Sequence, residues 1–292
     1  MNTTTLVTGA RGKVGRGVVA RLHAAGHAVR AASARPAELA VPDGVEAVEL
    51  ALDRPETFDA ALRGVRRVFL YPQPAGIDAF VKAAEAAGVE HVVLLSSSSV
   101  LGPDAENDPL ASHSLQVERA LAGSGLTCTL LRPDAFTSNS LGWAYAIGRG
   151  LPIQLAHPDA HIAPIHPEDI ADIAAEALTG SSLTGTSLTG TSLTGTAPLL
   201  TGPESLTFRE QLAVLADALG REIPVERITR AEAEEQMGRH MPAPMVTSLL
   251  NLWAAADHGP ATVHDTTQTL LGRPARTYRQ WAGENTAAFT RG

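Results

Sequence analysis

The chain has 292 residues and a formal net charge of −8 at pH 7, with 44% hydrophobic and only 4% aromatic residues. This composition is typical of a globular protein whose core is built mostly from Ala, Val and Leu. An acidic chain without a Lys/Arg run is unsuited to sequence-independent nucleic-acid binding or to an anionic membrane surface. No apolar run reaches the ~18 residues that span a bilayer, so we expect neither partner.

The N-terminus and the cysteine content favour a cytoplasmic protein. The first residues lack a basic region followed by an apolar stretch, so no signal peptide is expected. Cys128 is the single cysteine, which rules out an intramolecular disulfide. Its apolar neighbours indicate a core residue rather than a reactive thiol. The oligomeric state stays open.

Short β-prone runs alternate with helical segments over the first 133 residues. Near-continuous Val/Leu strands separated by helices predict a parallel sheet that is covered on both faces. Right-handed crossovers make such a sheet doubly wound, as in a Rossmann fold. The predicted strands are residues 5–8, 27–33, 45–50, 68–71, 91–95 and 127–131. The predicted helices are residues 16–25, 55–62, 78–87 and 115–122.

The pattern changes after Pro133. Helices are predicted at residues 169–178, at 207–219 and from 230 onwards. We expect an NADP-binding Rossmann domain over residues 1–150 and a small C-terminal substrate-binding region over 151–292, with some of its elements returning to the Rossmann core. Three copies of Ser-Leu-Thr-Gly-Thr at 182–196 are too short for a solenoid and predict a mobile surface loop, either inert or a contact site.

A Gly-x-x-Gly-x-x-Gly turn directly follows the first strand and opens the first helix, where a dinucleotide-binding turn has to lie. In such a turn the first glycine permits the tight bend, the second lets the pyrophosphate approach the backbone, and the third lets the helix lie close to the sheet. The helix N-terminus adds unpaired N–H groups and a partial positive charge. The predicted cofactor contacts here are Gly9, Arg11, Gly12, Lys13, Val14 and Gly15.

The end of the second predicted strand favours NADP over NAD. NAD sites place an acid there to hold the ribose hydroxyls, but residues 30–35 contain none. Arg35 and Arg11 instead offer two guanidinium groups, which suit a 2′-phosphate. Ser33 and Pro72 complete the predicted cofactor contacts. Asp53 is assigned either to the adenine or to capping the helix that starts at Pro55.

Several segments together resemble the NmrA-like branch of the atypical short-chain dehydrogenase/reductase family. Besides the glycine turn they are residues 52–53, 91–97, 124–133, 165–171 and 200–208, with Phe136 and Asn139. The resemblance spans nearly the whole chain. It implies a Rossmann fold and NADP; known members include quinone, azo-dye and triphenylmethane reductases, polyketide ketoreductases and non-catalytic NADP sensors. The family's Arg after the second strand falls at Ala34, so Arg35 is displaced by one residue.

The usual catalytic pair of short-chain reductases is missing. The family's Tyr-x-x-x-Lys positions correspond to Leu110 and Ser114, and neither residue can protonate a carbonyl oxygen. Tyr71, Tyr145 and Tyr278 are the only tyrosines, and none has a Lys four residues on. The usual proton donor is therefore absent.

The remaining catalytic candidates follow the fifth and sixth predicted strands. The resemblance places Ser97 nearest the family's catalytic Ser, and Ser96 adjoins it; both could instead satisfy backbone groups of the turn. His113, one residue before the missing Lys position, could donate a proton near neutral pH or simply face solvent. Asn139 and Asp134 are predicted to orient the substrate or the nicotinamide.

A cleft between the two regions is expected to bind a small aromatic or quinone-like substrate. Its predicted wall is Phe136, Trp143, Met241, Met245 and Trp253. Without the Tyr and Lys, hydride transfer from NADPH favours a strongly conjugated carbonyl such as a quinone or an aromatic polyketide ketone. The alternative is an NADP(H)-sensing protein without turnover. No ligand spacing predicts a metal site.

Overall fold

The computed structural model describes residues 3–180 and 193–290. The strands are β1 Thr4–Val7, β2 Val29–Ser33, β3 Glu46–Glu49, β4 Val65–Leu70, β5 His91–Leu95, β6 Thr127–Pro133, β7 Ile153–Leu155, β8 His161–Ile162, β9 Leu199–Leu200, β10 Leu206–Thr207 and β11 Val225–Arg227. The helices are α1 Lys13–Ala24, α2 Phe58–Leu62, α3 Ile77–Ala86, α4 Ser112–Ala122, α5 Ala144–Gly148, α6 Pro167–Thr179, α7 Phe208–Leu219, α8 Arg230–Gly238, α9 Ala243–Ala256, α10 Thr266–Leu271 and α11 Tyr278–Glu284.

The central sheet is parallel throughout. Within the described residues it has seven strands in the order β3-β2-β1-β4-β5-β6-β9. The chain moves outward from β1 to β3 and then returns to place β4 on the other side of β1. This reversal creates a crevice at the carboxyl ends of β1 and β4, where α/β proteins bind ligands. The predicted doubly wound α/β fold is confirmed.

Successive side chains of the central strands enter two separate cores, because side chains alternate across a strand. Val93 packs in the core beneath α1 and α6, whereas Val92 and Leu94 pack in the core beneath α2, α3 and α4. Every residue of β5 is buried. A strand buried on both faces has to be apolar throughout, which explains the uninterrupted run that made β5 recognisable.

The C-terminal half returns to the Rossmann core. Helix α6 packs against α1, and the close approach is visible at Gly17, where a Cβ would lie 2.8 Å from the Ala171 side chain. Strand β9 extends the central sheet beyond β6. The remaining helices and the short pairs β7–β11 and β8–β10 form the smaller C-terminal region.

A buried ion-pair network joins the two halves. Asp169 is fully buried, and Arg273 and Arg276 both bind it as well as Asp172 of the same helix. Arg21 of α1 binds Asp172 from the other side. Two nearly buried carboxylates are thereby compensated by three guanidinium groups, as buried charges require. The network fixes the C-terminal segment against the helix that follows the glycine turn.

Two expectations need correction. The helix predicted from residue 230 onwards is not continuous through the methionines of the predicted substrate wall: α8 ends at Gly238 and α9 starts at Ala243, because Pro242 cannot continue a helix from the preceding turn. Asp53 does not cap the turn that starts at Pro55, where Arg54 is the N-cap and no side chain caps it.

The serine- and threonine-rich repeat lies mostly outside the described residues, so the predicted surface loop stays a prediction there. Its last residues are described. Leu193 is 7% exposed, its carbonyl accepts a 2.8 Å hydrogen bond from the Thr129 hydroxyl, and the Gly195 N–H donates to the Cys128 carbonyl. The end of the repeat is thus part of the core beside β6. Cys128 itself is partly buried, and burial raises the pKa of its thiol to about 11.

Candidate cofactor and active site

The glycine turn has the geometry of a dinucleotide-binding loop. Gly9 has a φ of +61°, which favours glycine, and the Gly12 N–H donates a 2.9 Å hydrogen bond to the Gly9 carbonyl. A Cβ on Gly15 would lie only 2.4 Å from that carbonyl oxygen, so the first turn of α1 can approach the loop only with glycine there. The spacing of the motif follows from these contacts.

The N-terminus of α1 is open to an anion. Gly12 is its N-cap, no side chain caps the helix, and its first turn contains no acid. The N–H groups of this turn and the exposed Lys13 therefore face a space suited to a pyrophosphate. Val14 is 7% exposed and packs in the core. Its predicted contact is accordingly limited to the backbone N–H.

Tyr71 forms one wall beside this loop, a feature that the sequence analysis missed. A Cβ on Gly9 would lie 2.9 Å from the Tyr71 Cβ, and the Tyr71 side chain is 54% exposed. The Thr8 hydroxyl accepts a 2.7 Å hydrogen bond from the Tyr71 N–H and donates to the Phe69 carbonyl. These bonds hold the carboxyl ends of β1 and β4 together. The only sequence signal was the position of Tyr71 at a strand end.

The two predicted arginines come together at the carboxyl end of β2. Arg11 and Arg35 each place Nη1 2.9 Å from a different oxygen of the Glu38 carboxylate. The Arg35 N–H donates to the Ser33 hydroxyl at 3.1 Å, which fixes the bend that follows β2. Glu38 was missed from the sequence, because it lies beyond residues 30–35, where an NAD site has its acid.

The remaining predicted cofactor contacts lie on the neighbouring loops. Asp53 is exposed after β3, and Pro72 is half-buried after β4. Gly76 brings these two loops close together, since a Cβ there would collide with the Leu52 carbonyl at 1.7 Å. Their roles in nucleotide binding stay predictions.

The Ser96 side chain belongs to a buried charged cluster at the end of β5. Its hydroxyl donates a 2.5 Å hydrogen bond to Glu118 of α4, and Arg132 of β6 binds both Glu118 oxygens at 3.0 and 2.6 Å. The hydrogen bond with Glu118 raises the pKa of the Arg132 guanidinium. This cluster crosslinks two strands and a helix beneath the candidate site.

Ser97, Ser98 and Ser99 form a polar turn above that cluster. Ser97 Oγ lies 2.8 Å from Ser99 Oγ and accepts from the Ser99 N–H at 3.2 Å, while Ser99 Oγ donates to the Leu110 carbonyl. Ser98 Oγ donates to Asp134 at 3.3 Å. Burial raises the pKa of the Asp134 carboxyl, although the Ser98 hydrogen bond and the nearby His264 act in the opposite direction.

The other two catalytic candidates are exposed. His113 lies in the first turn of α4 and Asn139 in the turn Thr137–Trp143, and neither side chain hydrogen-bonds to another described residue. Tyr278 is buried and donates to Ser140 at 2.7 Å, and burial raises the pKa of its phenol. Ser97, His113, Ser96 and Asn139 all remain predictions as catalytic residues.

The predicted substrate wall is partly assembled. Phe208, which the sequence analysis missed, stacks edge to face with Trp143 at 5.9 Å and with Trp253 at 5.3 Å between ring centroids. Met241 packs in the same cluster as Trp253. Met245 is half-buried on α9. Phe136 lies apart from these rings, beside Ile165 and against the core beneath α1 and α6.

A cavity of about 410 Å³ lies beside α1 and α11. It includes Lys13, Arg16, His166 and Trp281 in its lining but none of the predicted wall residues. In the described part of the chain, no group of His, Cys, Asp and Glu side chains has a metal-binding arrangement. No helix there is long and apolar enough to cross a bilayer.

Comparison with known proteins gives a consistent family. Residues 9–180 match a family described as NAD(P)H-binding. The (4-alkanoyl-5-oxo-2,5-dihydrofuran-3-yl)methyl phosphate reductase of Streptomyces griseus is 39% identical over 97% of this chain and 98% of its own. The NAD(P)H azoreductase of Xenophilus azovorans is 32% identical over 97% and 98%. The NADPH-dependent quinone oxidoreductase of Escherichia coli has the same fold, with a TM-score of 0.76, 21% identity and coverage of 97% and 99%.

The chain therefore belongs to the NAD(P)H-binding family that its residues 9–180 match. It is an NAD(P)H-dependent oxidoreductase. The predicted NAD(P)H-binding family, Rossmann fold and enzyme class are confirmed, and the predicted NADP cofactor is confirmed at the level of NAD(P)H. The glycine turn and the open N-terminus of α1 fit that cofactor.

Proposed function

We propose that this protein reduces a small conjugated acceptor with NADPH. The observation that carries the proposal is the composition of the sheet edge beside the glycine turn. Ser97, Ser98 and Asp134 lie at this edge. Leu110 and Ser114 occupy the sequence positions of the family's Tyr and Lys. An acceptor that delocalises its own negative charge does not need a strong acid in the transition state.

When bound, NADPH supplies a hydride to an electron-poor carbon of the acceptor. The residues of the chain then have three tasks. The α1 N-terminus and Lys13 hold the pyrophosphate, the arginines after β2 and in the turn hold the 2′-phosphate, and the aromatic cluster orients the acceptor. Ser97 donates a hydrogen bond to the acceptor oxygen on which charge develops, and solvent or an acceptor hydroxyl supplies the final proton.

The reductase relatives support this acceptor class. The furanone phosphate named for the S. griseus relative has a ring double bond conjugated with carbonyl groups, and an azo bond between aromatic rings is likewise conjugated. For this chain the candidate acceptors are quinones, aromatic polyketide ketones and unsaturated lactones. These share delocalisation of the charge that hydride transfer creates. A tailoring ketoreductase acting on an aromatic polyketide is the narrowest form of the proposal.

The test is NADPH consumption with a panel of acceptors. The panel contains a quinone, a polycyclic aromatic ketone, an unsaturated lactone, an azo dye and a simple aliphatic ketone. We expect turnover with at least one conjugated acceptor and none with the aliphatic ketone. The proposal would be contradicted if the aliphatic ketone were the only acceptor reduced, or if no acceptor in the panel were reduced.

A matched control removes cofactor binding at the glycine turn. A Cβ on Gly12 would lie 3.3 Å from the Gly9 carbonyl oxygen, which is a tight contact, so the thermal unfolding of Gly12→Val is compared with that of the wild type. Its side chain would fill the space that the pyrophosphate needs. Loss of turnover in this variant assigns the activity to the glycine turn.

A further inference from the structure

The predicted 2′-phosphate site already holds an anion that belongs to the chain. The two oxygens of Glu38 bind Arg11 and Arg35 separately, each at 2.9 Å from Nη1. Arg11 comes from the glycine turn and Arg35 from the bend after β2. A carboxylate bridging two guanidiniums resembles a phosphate in the sign of its charge and in the spacing of its oxygens.

The local backbone holds Glu38 in this position. Glu38 closes a short 3-10 turn, Pro36–Glu38, in which Pro36 fixes the backbone φ. The Glu38 N–H donates to the Arg35 carbonyl at 3.1 Å, and the Leu39 N–H donates to the Pro36 carbonyl at 3.0 Å. The carboxylate is therefore presented to the arginines by a turn of three residues that directly follows Arg35.

The same three side chains are open to exchange. Relative exposures are 51% for Arg11, 66% for Arg35 and 46% for Glu38. Ion pairs this exposed are weak, because water and salt screen them. A dianionic phosphate can therefore displace the singly charged Glu38 carboxylate. Phosphate binding then has to overcome two costs: the loss of the ion pairs between Glu38 and the arginines, and the repulsion between Glu38 and the phosphate.

We infer that Glu38 is a specificity residue: it occupies the two-arginine clamp, has to be displaced by the 2′-phosphate of NADPH, and so lowers the preference for NADPH over NADH. NADH has a 2′-hydroxyl in place of that phosphate and leaves the Glu38 pairs intact. The inference rests on dinucleotide binding by the glycine turn, but it does not depend on which acceptor is reduced.

The test measures the dissociation constants of NADPH and NADH by titration calorimetry. Glu38→Gln removes the charge and keeps the shape. We expect the variant to bind NADPH about fivefold more tightly, because the phosphate no longer competes with an exposed ion pair of that strength. The dissociation constant of NADH should change by less than about twofold, because NADH does not displace Glu38. Glu38→Ala is likewise expected to bind NADPH more tightly and to leave the NADH dissociation constant within about twofold.

A matched control is available on α8. Glu234 has 45% exposure and pairs with Arg230 at 2.8 Å, so Glu234→Gln removes an equally exposed paired charge away from the cofactor site. We expect no change in either dissociation constant. Adenosine 2′,5′-bisphosphate, compared with AMP, then isolates the phosphate contribution, and only the bisphosphate should bind more tightly to Glu38→Gln.

Two results would overturn the inference. Weaker NADPH binding in both Glu38 variants would mean that Glu38 preorganises the arginines. Unchanged NADPH binding would mean that the phosphate binds elsewhere. Because these are binding measurements, they remain decisive if no acceptor in the panel is reduced, and failure of the proposed function is thereby distinguished from failure of this inference.

Discussion

The hydroxyl of Ser96 lies 2.5 Å from Oε1 of Glu118 and joins the end of β5 to the middle of α4. Arg132 completes the cluster from β6. In reductases with a Tyr-x-x-x-Lys motif, the helix at this place contributes the catalytic pair. In this chain it contributes a buried carboxylate that fixes the helix to the sheet. The charged cluster therefore fixes α4 against the carboxyl ends of β5 and β6.

This relationship predicts different consequences for two adjacent serines. Ser96→Ala removes a hydrogen bond to a buried charge and should lower the free energy of unfolding by about 1–2 kcal/mol, with little change in kcat. Ser97→Ala removes the donor proposed for the acceptor oxygen and should lower kcat at least about tenfold, or ~1.4 kcal/mol of barrier. Thermal unfolding and steady-state kinetics measure both.

Ser99→Ala is the control for the Ser97 variant, because Ser97 and Ser99 bond to each other in the same turn. If Ser97 only satisfies the turn, both variants should lose similar stability and retain similar turnover. A selective loss of kcat in Ser97→Ala separates the two roles.

Asp134 should make stability depend on pH. Burial raises the pKa of its carboxyl in the folded chain above the ordinary value of 3.8. The folded state therefore binds the proton more tightly than the unfolded state, and stability from this group falls as the pH rises through the folded pKa. Asp134→Asn should have little effect at acid pH and should be more stable than the wild type at neutral pH.

The measurement is thermal unfolding of the wild type and of Asp134→Asn between pH 4 and 8. The quantity compared at each pH is the difference between their free energies of unfolding. Asp78→Asn, on the exposed face of α3, serves as the matched charge control. A difference between Asp134→Asn and wild type that stays constant with pH would be inconsistent with a raised pKa at Asp134.

Trp253 should affect the acceptor rather than the cofactor. Its ring packs edge to face on Phe208 and belongs to the aromatic cluster proposed to orient the substrate. Trp253→Ala should raise KM for an aromatic acceptor about tenfold, the scale of one lost aromatic contact with its buried area, and leave NADPH affinity unchanged. Leu252→Ala changes an exposed neighbour and should alter neither quantity. An equal loss of NADPH affinity would place Trp253 outside the acceptor site.

Arg276 should stabilise the whole fold. It binds Asp169, which is fully buried, and Asp172 at 2.8 Å. Arg276→Ala leaves those carboxylates with fewer cations and should lower the free energy of unfolding by about 2–3 kcal/mol. Arg279→Ala breaks an exposed pair with Asp217 and should cost less than about 0.5 kcal/mol. Chemical denaturation compares the variants; equal losses would contradict a structural role for the buried network.

The strands and helices of the Rossmann core were predictable because their patterns are strong. β5 was predicted at its observed bounds, and the runs that became β2 and β6 overlap the observed strands closely. Helix α1 begins at Lys13, three residues before its predicted start. The start was missed because the first turn belongs to the glycine loop and has no apolar periodicity. The pairs β7–β11 and β8–β10 were missed, since strands of two or three residues have no periodicity.

The candidate site was predictable only where one short segment forms it. Gly9, Gly12 and Gly15 lie within seven residues, so their joint function is visible in the sequence. Contacts between distant segments were missed: Phe208 meets Trp253, and Glu118 meets Ser96, only after folding. Glu38 was different, because it lies only three residues after Arg35 and is visible in the sequence as a partner for that arginine.

Transfer of deuterium from labelled NADPH tests the central claim most directly. The two stereoisomers of NADPH, each with deuterium on the hydride-donating carbon, are incubated separately with the enzyme and the best acceptor among the aromatic ketones and unsaturated lactones, whose products keep the transferred hydrogen on carbon. The product is then examined by mass spectrometry and NMR. We predict one deuterium on the acceptor's electron-poor carbon from one stereoisomer and none from the other. Product without deuterium from either stereoisomer would contradict hydride transfer at this site.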